Sequence, residues 1–166
     1  NRTNQALQAT QKVVNTGYRV NDAEDDGASF AIAQGLRSDM KGYSAIGEQL
    51  SKAKGTLTVA SNAAKSISDT VADIRTVLTK LADDNVKGDQ RTQYEADYAT
   101  LRGDISRFID MATFNGTNLL SSADNVNVIS DLNGGSLSVS GHDLTTDVFD
   151  KLTDVADADA ARTLLA

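Results

Sequence analysis

The sequence predicts a mainly α chain: a long coiled-coil-like helical rod, a shorter antiparallel helix and a small β-hairpin. Three observations predict it. None of the 166 residues is proline. Proline averages about 5% of residues, and a long helix excludes it because the ring removes a backbone donor and clashes with the preceding turn. A heptad pattern runs from Leu36 to Leu81. Beyond Gly116 the period changes to two, with Asn133-Gly134-Gly135 between the alternating runs.

The elements follow in chain order. Residues 1–16 hold good helix formers with a weak apolar stripe (Ala6, Leu7, Val13, Val14) and read as the end of an N-terminal helix, with Gly17 as its C-cap. Residues 17–29 read as an ordered, spoke-like connector. It carries Asp22, Glu24, Asp25 and Asp26, whose negative charge suits the start of the next helix. A calcium site is the rival reading, but the run lacks the ligand spacing and central glycine of an EF-hand loop.

Residues 30–115 read as the helical rod, with the long helix over about 30–82 and the second over about 89–112. With Leu36 at position a, the a positions are Leu36, Tyr43, Leu50, Leu57, Ala64, Val71 and Leu78. The d positions are Asp39, Ile46, Ala53, Ala60, Ile67, Ile74 and Leu81. Thirteen of these fourteen are apolar, all but Asp39, which argues for one long helix packed in a coiled-coil manner. Such a helix would be roughly 80 Å long. Gly35, Gly42, Gly47 and Gly55 each cost about 1 kcal/mol against alanine there. Their clustering predicts close packing or a bend, and Ala53, Ala60 and Ala64 predict close approach of a partner helix. Residues 83–88 read as a turn and Asp89 as the N-cap of the second helix, whose seam is Tyr94, Tyr98, Leu101, Ile105, Phe108 and Ala112. Asn115-Gly116 ends it. Residues 116–152 form the β-hairpin region, in which Val126/Val128 and Leu137/Val139 alternate with polar residues. Residues 153–166 read as the start of a further helix from Asp157. The sequence stops as that helix begins, so its partner is expected to lie in chain outside it, leaving the long seams partly uncovered.

Composition excludes several chemistries. With no cysteine there is no disulfide, thiolate zinc site or Cys nucleophile. The one histidine, His142, cannot form a two-His metal site and reads as a solvated turn residue. Sixteen basic against 23 acidic residues give a net charge of -7, poor equipment for nucleic acid. No apolar run is long enough to cross a membrane as a helix. No catalytic, cofactor or metal constellation is visible. Asn1-Arg-Thr3 and Asn115-Gly-Thr117 fit the N-glycosylation pattern by chance, and Asn115-Gly116 is explained by its turn.

The run from Asn15 to Ile46, with Thr16-Gly17-Tyr18-Arg19-Val20-Asn21-Asp22-Ala23-Glu24-Asp25-Asp26 at its head, closely resembles the spoke and first long helix of bacterial flagellins. Asp104-Ile105-Ser106-Arg107 leading to Thr113-Phe114-Asn115-Gly116-Thr117 is similar to the flagellin run that closes the second helix. The resemblance covers residues 1–152. It implies a structural, non-enzymatic subunit of the flagellar filament, self-assembling with other flagellin subunits and secreted through the flagellar export apparatus to the cell exterior. Filament cap and junction proteins would be further partners. A receptor patch of the family aligns with Asp73-Ile74-Arg75-Thr76-Val77, where Asp73 replaces an Arg and Thr76 a Glu, so Toll-like receptor recognition is expected to be weak. From charge and position, Arg19, Asn21, Asp22, Asp25, Asp26 and Arg37 are expected at subunit contacts, with helix capping as the competing role of the acids. The alternatives are a hook–filament junction protein of the same superfamily and a coiled-coil scaffold or binding protein that forms a discrete oligomer.

Overall fold

Gly17 ends the first helix as its position in the sequence requires. α1 spans Arg2–Thr16, and Gly17, at φ 72°, donates its N–H to the Val13 carbonyl at 2.8 Å. This left-handed stop is cheap for glycine alone. The structure is a computed structural model and describes residues 2–18, 20 and 26–166. They fall into two compact units, Asn1–Glu48 with Asp131–Gly134, and Gln49–Ser130 with Gly135–Ala166. The division lies inside a helix and not at the connector over 17–29, because long-range packing partners gather on the later half of that helix.

α2 spans Gly27–Leu81 and so starts ahead of residue 30. Asp26 is its cap: the carboxylate accepts from the N–H groups of Ala28 at 3.2 Å and Ser29 at 3.1 Å, and from the Ser29 hydroxyl at 2.6 Å. In the first unit Ile46 and Val20 are buried. There, too, a Cβ on Gly42 would collide with the Leu132 side chain, whereas Gly35 and Gly47 face open space.

The second unit holds the main core. Ile67, Ile74, Leu78 and Leu81 of α2 are buried together with Tyr98, Ile105 and Ile109 of α3, which spans Asp89–Met111. The cap of α3 is Gly88, not Asp89; Asp89 sits one position later, in the first turn, where its charge still faces the positive end of the helix. The two helices run antiparallel. The Lys80 ammonium lies 5.1 Å from the centre of the Tyr94 ring, and Arg91 donates to the Leu81 carbonyl at 3.2 Å. Phe114, just past the other end of α3, rests on Gly55. The buried hydroxyls of Thr56 and Thr70 are satisfied by the Lys52 and Ser66 carbonyls one turn back.

Asn115-Gly116 does more than end a helix. With φ of 49° and 79° the pair forms the turn of a small hairpin, β1 (Thr113–Phe114) against β2 (Thr117–Asn118). The expected hairpin is β3 (Val126–Ile129) against β4 (Ser136–Val139), with Val126 opposite Val139 and Val128 opposite Leu137. Gly141 is buried where a Cβ would stand 2.5 Å from the Asp124 carbonyl oxygen and 2.6 Å from that of Ser122. Leu119 and Leu120 enter the core, and their carbonyls accept from the N–H groups of His142 and Leu144. The tail packs as a short helix α4 (Leu144–Asp147), a 3-10 turn (Phe149–Lys151) and α5 (Ala158–Leu165), the last capped by Asp157. Tyr98 donates its hydroxyl to the Thr153 carbonyl at 2.7 Å, and Arg162 pairs with Asp84 at 2.9 Å.

Two consequences are measurable. An alanine Cβ at Gly55 would lie 2.8 Å from the Phe114 ring. Gly55→Ala is therefore expected to give the helical gain of about 1 kcal/mol only in a Phe114→Ala background. With Phe114 present the displaced ring cancels it, which a double-mutant cycle by urea denaturation reads. The second concerns acid. The Asp143 carboxyl is held below the usual carboxylate range, first by the Thr146 hydroxyl and then by backbone N–H groups at the start of α4. A lowered folded-state pKa contributes stability above the unfolded value and loses it as pH falls through the folded one. Asp143→Ala is expected to flatten the stability loss below about pH 4 in melting curves and to leave the pH dependence near neutrality unchanged.

Candidate assembly surface

An amphipathic helix buries one stripe and leaves polar residues outside. In the first unit α2 does the reverse on one face. Ile32, Leu36, Met40 and Tyr43, spaced four, four and three, are 72%, 63%, 67% and 62% exposed. They form one continuous apolar ladder, since residues three and four apart are neighbours on a helix. α1 adds exposed Leu7, Val13 and Val14.

In the second unit the heptad a positions begin in the same state, with Leu50 and Leu57 exposed. Further along, Ala64 and Val71 are half-buried and Leu78 is buried in the core with α3. The d positions from Ala60 onward are buried throughout. The alanine seam is covered less by a helix than by Leu119 and Leu120, which with Leu57, Ala60, Ala64 and His142 line a shallow cavity of about 180 Å³.

Of the expected contact residues, Arg19, Asn21, Asp22 and Asp25 lie outside the described residues. Asp26 holds the α2 N-terminus as described. Arg37 stacks its guanidinium 4.0 Å from the centre of the Tyr18 ring, a cation–π contact that ties Tyr18 to α2. Sequence reading gave Tyr18 no such role. It also left Ile32 and Met40 out of the stripe, because the heptad was counted only from Leu36 and Met40 stands outside the a and d positions; i, i+4 spacing was the available signal. In the receptor-patch positions, Asp73, Arg75 and Thr76 are exposed and Val77 is buried. Asp73 and Val77 line an open cavity of about 350 Å³ with Asp97, Thr100 and Leu101.

Among the described residues, no group of three or more His, Asp or Glu side chains is placed to hold a metal, and no helix is long and apolar enough to cross a membrane. His142 is exposed. Fold and surface together define a mainly α chain built on one long helix with an uncovered apolar face.

The chain belongs to the bacterial flagellin family: the model of the bacterial flagellin N-terminal helical region matches residues 1–125. A flagellin of Brucella melitensis is 27% identical over 162 residues, covering 94% of this chain and 57% of that protein. The flagellin FljN of Caulobacter vibrioides is 26% identical over 119 residues, 72% of this chain and 44% of that protein. The chain thus spans about half the length of the curated relatives it matches. The crystal structure of Bacillus cereus flagellin shares the fold, with a TM-score of 0.63, 21% identity and 69% of each chain covered.

Proposed function

We propose that this chain is the N-terminal helical part of a structural subunit of the bacterial flagellar filament, acting by self-assembly and not by catalysis. The observation that carries this reading is the apolar ladder from Ile32 to Tyr43, four large side chains more than half exposed on one helix face. Monomeric proteins seldom leave such a continuous patch open, and a face of this kind marks an interaction surface. Further helical chain covers it in the assembled filament, and a contact repeated head to tail without closing yields an open polymer. The filament stands outside the cell and turns as a propeller. Other copies of the subunit, the export apparatus, the filament cap and the junction proteins are its partners.

Seeding the full-length protein and imaging it by electron microscopy tests this. Long regular filaments are expected; a discrete oligomer under every polymerising condition would favour the scaffold reading. The charge changes at Asp73 and Thr76 carry a further expectation. Receptor activation by the intact monomer is expected to be weak in a Toll-like receptor reporter assay, and full-strength activation would contradict it.

A further inference from the structure

The chain has two methionines, Met40 and Met111, and both stand largely in solvent, 67% and 76% exposed. That is unusual placement for a side chain ordinarily found inside. Met40 lies inside the apolar ladder, one turn from Leu36 and from Tyr43. Met111 ends α3 in the second unit and is not a residue of that ladder. We propose that Met40 is an oxidation site at which peroxide-class oxidants control assembly, with Met111 a second exposed thioether of equal reactivity and no such effect. This rests on the ladder being the surface buried in the polymer.

The reaction is a two-electron oxygen transfer. The Met40 sulfur attacks the terminal oxygen of hydrogen peroxide, the S–O bond forms, the O–O bond breaks, and water leaves after proton transfer. Sulfur is oxidised to the sulfoxide and peroxide is reduced. An apolar, flexible thioether becomes a polar group with a strong acceptor oxygen. In this chain the change is nearly neutral, because the side chain is solvated in either form. In the polymer the S=O must enter an apolar contact, and a buried acceptor without a donor is costly. No group in the ladder offers a donor beyond the Tyr43 hydroxyl, since Ile32 and Leu36 are hydrocarbon. Oxidation therefore acts on assembly and not on folding.

The test uses the full-length protein, hydrogen peroxide as oxidant and peptide mapping by mass spectrometry. Both methionines are expected to oxidise at similar rates in the monomer. Oxidised wild type is expected to need about a tenfold higher critical concentration for polymerisation, and methionine sulfoxide reductase is expected to restore it. Met40→Leu should polymerise normally before and after peroxide, whereas Met111→Leu should stay sensitive. In preformed filaments Met40 should be protected and Met111 should not. Sensitivity that survives Met40→Leu, or a critical concentration unchanged by complete Met40 oxidation, would overturn the proposal. If untreated protein forms no filaments, the filament reading fails first, and this proposal fails with it. Filaments from untreated protein that are indifferent to oxidation sink the proposal alone.

Discussion

Ile105→Ala is expected to destabilise the second unit by about 2–5 kcal/mol, the cost of an unfilled cavity in a core that cannot collapse around it. Ile105 is fully buried, and it shares its cluster with Ile74 and Leu81, the other two largest side chains sealed from solvent. These three tie α3 to α2. Losing them frees the helix pair to separate, and the Tyr98 and Arg102 contacts to the tail depend on α3 holding its place. Urea denaturation followed by circular dichroism measures the effect as a lower midpoint at unchanged slope. A loss under about 1 kcal/mol would place Ile105 at a site able to repack, contrary to its burial.

The second large effect falls on assembly. Replacing Leu36 and Tyr43 together by aspartate places two carboxylates in the ladder. Both positions are more than half exposed, so the free subunit is expected to keep its helical content and melting profile. In the polymer each charge would have to leave water without a partner, which costs several kcal/mol even after relaxation. Filament yield, read by sedimentation, is expected to fall by at least about a hundredfold at fixed protein concentration. The pair separates surface from scaffold: Ile105→Ala loosens the fold, whereas the double aspartate leaves the fold and removes the polymer.

How far the sequence reached can be seen from particular residues. The 3–4 spacing from Leu36 to Leu81 made α2 legible because it persists over many turns, and the d positions from Ala60 onward are buried as the heptad implies. The same pattern did not tell which a positions find partners within this chain. Leu36 and Leu78 look alike in the heptad, yet one is open and the other sealed, because α3 returns only along the later part of α2. That depends on the length of α3, not on local pattern. Contacts between residues distant in sequence were equally hidden. Nothing near Gly55 announces that Phe114 lies on it, and nothing near Gly141 announces the carbonyls of Ser122 and Asp124. The Arg37 stack on Tyr18 gives one expected contact residue a role within its own unit, and charge counting along the connector had no means of finding a ring. Capping, by contrast, is a local signal. Asp26 and Asp157, both read at helix starts, cap α2 and α5, and Asp143, to which the sequence reading gave no such role, caps α4, each carboxylate accepting from free N–H groups. Only Asp89 slipped by one position, since the glycine before it can take the cap conformation without a side chain.

Electron cryomicroscopy of the polymer formed by the full-length protein tests the central claim most directly. Ile32, Leu36, Met40 and Tyr43 are predicted to lie within about 4 Å of apolar side chains from other helices of the assembly. A filament in which those four side chains still face water would contradict it.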